Sequence, residues 1–173
     1  MMPELKIENQ SKTEVFQTVA DYLSTHTFKI IKLDILRPWG FFFYVDEEQT
    51  EKFIEHFYGR AELEGIDTSL SLQPKILAIE SGKKLSWQYH NRRSEIWRCI
   101  AGSVAVIENR ADDEPSPQII SGDDLVTFPQ GIRHRASGNN EWGIVAEIWQ
   151  HTDPQNPSDE NDIVRLQDDF GRS

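Results

Sequence analysis

Two short stretches hold the residues best able to do chemistry. The first runs from Gly82 to Gly102 and contains Gln88, His90 and Glu95; the second runs from Gly122 to His134. In extended backbone successive side chains alternate, so Ser86, Gln88 and His90 share one face and Trp87 and Tyr89 the other. Glu95 follows His90 after a four-residue turn, and an antiparallel return sets its carboxylate beside the imidazole. Pro129-Gln130-Gly131 makes a tight turn that delivers His134 onto a strand. Two imidazoles, one carboxylate and one amide oxygen form a mixed N/O set suited to a divalent transition metal. Such a set leaves coordination positions open to substrate or water. Taken singly, a histidine in such a place is more often an ordinary partly buried residue; the pair with Glu95 and the Gly/Pro frame points to metal.

Glu147, on the last long strand, offers an inward carboxylate able to act as a base; an exposed strand glutamate is the other reading. Arg37, Lys84, Arg93, Arg133, Arg135 and Arg165 stand out in an acidic chain. A guanidinium fork matches phosphate oxygens, whereas a solvated arginine would pair with one of the 29 acids. Arg133 and Arg135 flank His134 and point away from its face. Arg37-Pro38-Trp39-Gly40 reads as a structural turn that packs Trp39. Cys99 reads as small core filling, and Phe41, Phe42 and Phe43 as core or dimer interface.

Several elements must position these groups. Ser11-Lys12-Thr13-Glu14 has the form of a capping box, and Val15, Phe16, Val19, Tyr22 and Leu23 follow at helical spacing. Asp46 opens a second helix with Phe53, Ile54, Phe57 and Tyr58 on its apolar stripe, and Gly59 suits its end. Lys29–Leu36 and Phe41–Val45 read as strands. From Ser69 onward come Lys75–Glu80, Lys84–His90, Glu95–Ile100, Val104–Glu108, Gln118–Ile120, Leu125–Phe128, Arg133–Ala136 and Gly143–Gln150, each bounded by turn residues. Many short, evenly spaced strands predict a β-sandwich or small barrel. His151 to Asn161 reads as a surface loop, and Asp162 to Arg172 as a charged tail with Ile163, Val164 and Leu166 as docking residues.

Composition narrows the function classes. In 173 residues, 18 Lys and Arg face 29 Asp and Glu, a formal charge of −11. That balance disfavours nucleic acid, whose phosphates need clustered cations, and anionic membrane surfaces. An apolar fraction of 38% with five Trp supplies the mass for a core. A single cysteine, Cys99, excludes an internal disulfide and suits a reducing compartment. No apolar run reaches the ~18 residues that span a bilayer, and Met1 to Gln10 has no secretory h-region. A cytoplasmic setting is the expectation.

The two stretches resemble the paired motifs of the cupin superfamily. The match runs through Gly82, His90, Glu95, Gly102, Gly122, Pro129, Gly131 and His134, with Gln88 in place of the first His and Asn139 displaced by one. A narrower series adds Arg37-Pro38-Trp39-Gly40, Arg93-Ser94-Glu95-Ile96-Trp97, Asp162-Ile163-Val164-Arg165, Asp168 and Phe170-Gly171-Arg172. This is similar to the isomerase domain of type II mannose-6-phosphate isomerases, without the nucleotidyltransferase half that often accompanies it. Ile96 stands where that family usually has His.

The resemblance implies an all-β, double-stranded β-helix (a jelly-roll barrel) with two accessory helices. It is expected as a single cupin domain over 1–173, with an N-terminal helical extension at 1–28 and a helical insertion at 46–70. The barrel core would be 71–150 and the C-terminal tail 151–173. It implies metal-dependent aldose–ketose isomerisation of a sugar phosphate. Gln88, His90, Glu95 and His134 are the implied ligands of Zn, with Mn, Fe, Co or Ni as alternatives. Glu147, Arg93 and Arg165 are the implied catalytic groups, and Arg93, Lys84 and Arg165 the substrate-binding ones. A homodimer is expected by resemblance only. Two other classes stay open: a cupin that binds metal and sugar without turnover, and an iron-dependent oxygenase.

Overall fold

The structure is a computed structural model that describes residues 4–8, 10–59, 66–122 and 124–173. Helix α1 spans Lys12–Thr25, and its capping box forms in both directions. The Ser11 side chain accepts from the Glu14 amide, and the Glu14 carboxylate accepts from the Ser11 amide at 2.8 Å. Strands β1 (Ile30–Asp34) and β2 (Gly40–Val45) pair antiparallel. A short 3-10 turn at Glu47–Gln49 leads into α2, Thr50–Phe57, which buries Phe53, Ile54 and Phe57. Gly59 follows with φ +72°, as expected of a helix-terminating glycine. Part of the expected 46–70 insertion, residues 60–65, lies outside the described residues.

Nine further strands follow: β3 (Leu72–Ile79), β4 (Trp87–Tyr89), β5 (Arg93–Ala101), β6 (Ser103–Asn109), β7 (Gln118–Ser121), β8 (Leu125–Phe128), β9 (Arg133–Gly138), β10 (Gly143–His151) and β11 (Val164–Gln167). They form two antiparallel sheets, ordered β1-β2-β3-β10-β5-β8 and β11-β4-β9-β6-β7. Two differences from the expected strands matter. The span expected as Lys84–His90 contracts to Trp87–Tyr89, with Lys84 held only by an isolated bridge to Ser137. The tail expected only to dock instead supplies β11, which pairs with β4.

The central strands of the six-stranded sheet are covered on both faces, which is why β2, β3 and β10 are buried at every position and not alternating, while the edge strands β1 and β8 are partly exposed. One face packs Phe41, Phe43, Ile76, Ala78, Ile96, Ala146 and Ile148 against Val15, Val19, Leu23, Phe53 and Phe57 of the two helices. The other face turns Phe42, Tyr44, Leu77, Trp97, Cys99, Val145 and Trp149 into the space between the sheets. The three phenylalanines therefore divide: Phe41 and Phe43 are helix-side core, while Phe42 faces the barrel interior. Gly40 is required by close approach, since a Cβ there would stand 1.9 Å from the Ala78 carbonyl oxygen.

The helices bring Tyr22, His26 and His56 together. The His56 Nε2 lies 3.0 Å from the Tyr22 hydroxyl, and its ring is 4.7 Å from that of His26. Burial, then the His26 and Lys52 charges, push the His56 pKa down to about 4. The unfolded chain then binds more protons than the folded one between about pH 6.5 and 4, so stability falls as pH drops through that window. The full shift corresponds to roughly 3 kcal/mol, and screening at this half-buried site reduces it to on the order of 1 kcal/mol. Thermal melts from pH 7 to 4 should show a shallower decline for His56→Gln than for wild type. Parallel curves would exclude this cluster as a source of acid sensitivity.

Candidate metal centre and pocket

The register of the six-stranded sheet builds the site. Tyr44 stands opposite Lys75, Lys75 opposite Glu147, and Glu147 opposite Trp97, across β2, β3, β10 and β5. One rung along, Trp149 stands opposite Glu95. Because side chains alternate along each strand, these groups share the interior face, with neighbours about 5 Å apart. From the other sheet, β4 supplies Gln88, paired directly with His134 of β9, and Arg165 of β11 lies opposite Gln88. The Gly131 amide donates to the His90 carbonyl at 2.9 Å, tying the two motifs together.

His90, Glu95 and His134 present ligand atoms that lie within 4.8 Å of one another, and all three residues are buried. Glu95 Oε1 is 3.1 Å from His90 Nε2, and Oε2 is 3.2 Å from His134 Nε2. Each histidine is oriented from behind: His90 Nδ1 contacts the Asp162 carbonyl at 2.6 Å and His134 Nδ1 the Ile132 carbonyl at 2.9 Å. A carbonyl only accepts, so both Nδ1 atoms carry hydrogen and both Nε2 atoms face the carboxylate. Burial holds the His90 pKa below its ordinary value, favouring the neutral ring with an Nε2 lone pair. The Arg93 guanidinium already meets the His90 lone pair, but His134 Nε2 is buried with no hydrogen-bond partner among the described residues, an orphaned atom that a cation would satisfy. This donor set therefore fits a divalent transition metal.

Gln88 lies beside this group. Its Nε2 is 3.5 Å from His90 Nε2, and its Oε1 accepts from the Ser86 hydroxyl at 2.6 Å. Ligation through the amide oxygen needs the opposite amide orientation, which Ser86 also supports because a hydroxyl both donates and accepts.

Arg93 is fully engaged at the same place. Its Nε donates to Glu95 Oε1 at 2.7 Å, and Nη2 lies 3.2 Å from His90 Nε2. Nη1 donates to Ser158 Oγ and to the Asp159 carbonyl, while the guanidinium lies over the Trp149 ring at 3.6 Å. These contacts make Arg93 a support for the ligand carboxylate more than a group turned toward a substrate.

The second carboxylate, Glu147, is 3% exposed. The Trp97 indole N–H is shared between Glu95 Oε2 at 3.1 Å and Glu147 Oε1 at 3.0 Å. Glu147 Oε2 has no hydrogen-bond partner among the described residues; the Lys75 ammonium is 3.6 Å away. The two carboxylates are driven apart. Burial, then the Glu95 charge, raise the Glu147 pKa to about 7. Burial also opposes ionisation of Glu95, but the Arg93 guanidinium and any proton held on His90 or His134 overcome it and keep Glu95 well below the usual carboxylate range.

A pocket opens over these groups, lined among others by Phe42, Lys75, Gln88, Glu95, Glu147 and Arg165. Lys75 was not singled out by residue type, yet it is nearly buried under three rings. Its ammonium lies 4.2–4.9 Å from the Trp149, Tyr44 and Phe42 centroids and 3.6 Å from Glu160. The available signal was a single cation in the otherwise uncharged strand Leu72–Ile79. Glu160, also missed, bonds the Tyr44 hydroxyl. Nothing in its loop sequence marks it, because only β2 and β3 bring Tyr44 and Lys75 beneath it.

The other expected residues are placed as follows. Lys84 pairs with Asp169 at 3.5 Å at the surface, away from the metal set. Arg133 and Arg135 pair with Asp112 and Glu114, turned from His134's face as expected. Asn139 donates to Ser103 and takes no part in the site. Ile96 is wholly buried on the helix side of the sheet, so its departure from the resembled pattern does not alter the pocket lining. Ile163 lines the pocket, whereas Leu166 is 39% exposed.

Residues 45–168 match the family model described as mannose-6-phosphate isomerase, C-terminal. The chain belongs to this family. It is a cupin, and its two sheets carry the paired motifs described above. A curated relative, the xanthan biosynthesis protein XanB of Xanthomonas campestris, is 29% identical over 112 residues. That alignment covers 64% of this chain and 22% of the relative. The chain thus spans about a fifth of the length of the curated relative it matches. Among solved structures, CapF with the inhibitor 3-isopropenyl-tropolone superposes with a TM-score of 0.55 at 13% identity, covering 94% of this chain and 43% of that one. A putative sugar phosphate isomerase of Acidithiobacillus ferrooxidans gives a TM-score of 0.40 at 22% identity, over 46% of this chain and 50% of that one. The CapF similarity supports the fold alone. Among the described residues no helix is long and apolar enough to cross a membrane.

Proposed function

We propose that this mannose-6-phosphate isomerase-like cupin holds a divalent metal through His90, Glu95 and His134, with Gln88 beside them. We further propose that it interconverts the aldose and ketose forms of a sugar phosphate. Mannose 6-phosphate and fructose 6-phosphate are the pair implied by the family description. When bound, the metal would act as a Lewis acid on the substrate's oxygens at C1 and C2. The remaining work falls to side chains. A base must take the proton from one carbon and return it to the neighbouring one, and we assign that role to Glu147. Trp97 links it to Glu95, Lys75 flanks it, and its Oε2 is open to a partner. Arg93 and the backbone carbonyls of Asp162 and Ile132 keep Glu95 and the two imidazoles in register. The aromatic walls of Trp97, Trp149 and Phe42 exclude water from around the reacting carbons.

The observation that carries this reading is the second buried carboxylate, one indole N–H away from the candidate metal set. A site that merely held metal would have no use for it, and removing a carboxylate from water is costly. The test is to measure bound metal in the purified protein and to follow conversion of mannose 6-phosphate to fructose 6-phosphate. Turnover that stops on chelation and returns with metal is expected. Tight metal binding with no turnover on any hexose or heptose phosphate would overturn the isomerase and leave a binding protein. Oxygen uptake with bound iron would move the chain to the oxygenases.

A further inference from the structure

A second charged group stands on the wall of the pocket. Arg37 enters from the turn before β2, Arg165 from β11 and Arg172 from the C-terminal segment, and all three line the pocket that contains Gln88, Glu95 and Glu147. Three guanidiniums brought together from separate parts of the chain repel one another. Burial and the Arg172 and Arg37 charges lower the Arg165 pKa, while Asp168 and Glu160 oppose them in part.

The local acids answer two of the three arginines and leave Arg165 without one. Arg172 is held by a two-point contact to Asp168 at 2.7 and 3.0 Å. Arg37 pairs with Asp34 at 2.9 Å, and Glu160, 4.0 Å from it, is shared with Lys75. Arg165 has no carboxylate in ion-pair contact among the described residues. Its Nη1 donates to the Ser173 carbonyl at 2.6 Å, and its Nε is buried with no hydrogen-bond partner. A buried N–H on a permanent cation costs free energy unless something accepts from it. The register sets where that acceptor would lie: Arg165 is directly opposite Gln88, so it stands one strand away from the metal set and beside the pocket.

We infer that Arg165, flanked by Arg37 and Arg172, is the anchor for the phosphate monoester of a sugar whose reacting carbons lie toward His90, Glu95 and His134. The inference rests on the sugar-phosphate reading of the same pocket and adds which residues select for the phosphate. A planar guanidinium offers paired N–H donors to phosphate oxygens, and Arg37 and Arg172, although each is paired with a carboxylate, bring further guanidinium groups to the same wall. The cations expected from sequence to do this work divide accordingly. Arg165 keeps the role, Lys84 is spent on Asp169 at the surface, and Arg93 is spent on Glu95.

The test is binding, which does not depend on turnover. Titration calorimetry would compare mannose 6-phosphate, mannose and inorganic phosphate on wild type, Arg165→Gln, Arg165→Lys and, as a distant control, Arg133→Gln. Each variant's fold would be checked by circular dichroism. Mannose 6-phosphate should bind wild type, compete with inorganic phosphate, and bind Arg165→Gln roughly 10- to 100-fold more weakly. Arg165→Lys should recover part of the loss, Arg133→Gln should match wild type, and binding of free mannose should not respond to position 165. Unchanged affinity in a folded Arg165→Gln, or equal losses for mannose and its phosphate, would overturn the anchor. If Arg165→Gln fails to fold, Arg37→Gln and Arg172→Gln carry the test, and full affinity in both would overturn it. Arg165-dependent phosphate binding without isomerisation would leave the anchor standing and remove the isomerase. Isomerisation that is indifferent to position 165 would do the reverse.

Discussion

Replacing His134 by alanine is expected to empty the metal centre and abolish isomerisation together. The ring is 2% exposed, its Nδ1 is committed to the Ile132 carbonyl, and its Nε2 faces Glu95 at 3.2 Å without a hydrogen bond. It therefore has one role left at the site, as a donor to a cation. Losing a residue that only supports a ligand typically costs 10- to 100-fold in metal affinity, and deleting a ligand should exceed that. Metal analysis of the purified variant is the direct measurement. A second readout comes from linkage: whatever binds only the folded state raises its stability, so chelation should lower the melting temperature of wild type and leave His134→Ala unmoved. The ring also stacks on Phe128, with centroids 4.6 Å apart, so the variant will lose some packing. His90→Ala, which lacks that contact, should show the same metal loss. Full metal content in both variants would sink the three-residue centre.

The second large effect is expected at Glu147. Glu147→Gln keeps the shape and the bond from Trp97 but cannot take a proton from carbon. General acid–base groups contribute roughly 10²- to 10⁴-fold, so kcat should fall by that factor while bound metal stays at the wild-type level. The separation between the two readouts is the point. Glu147 is linked to the metal set through the shared Trp97 N–H and through the charge of Glu95, and removing its own charge relieves that repulsion, so an isosteric change there should leave His90, Glu95 and His134 in place. A kcat within a few-fold of wild type would remove Glu147 as the base. Loss of metal along with rate would make it a support for Glu95.

The candidate centre was legible in the sequence because its parts are local. His90 and Glu95 are joined by one turn, and Pro129-Gln130-Gly131 sets the direction of the strand that bears His134. Alternation along a strand then decides which neighbours share their face. The capping box at Ser11 and Glu14 and the helix end at Gly59 were legible for the same reason: each is settled within four residues. The pocket wall was not. Lys75 looks like an ordinary strand cation until the β2–β3–β10 register places it between Glu147 and Glu160 under three rings. Alternation alone puts Phe42 on the opposite side from Phe41 and Phe43, but only the tertiary structure decides that its side is the pocket and theirs the helices. Arg172 and Glu160 lie in a polar segment whose own sequence carries no periodic signal.

By itself, then, the sequence determined the antiparallel β class, the two helices and the identity of the metal-binding candidates, all through periodicity and turn chemistry acting over a few residues. Tertiary structure decided which charged groups meet. It spent Arg93 on Glu95 and Lys84 on the surface, and it brought Arg37, Arg165 and Arg172 to one wall. The physical reason is that a side chain's charge acts over distances of several ångströms in space. Partners at that range are set largely by strand register between segments distant in sequence, as for Arg37 and Arg165 or Lys84 and Asp169.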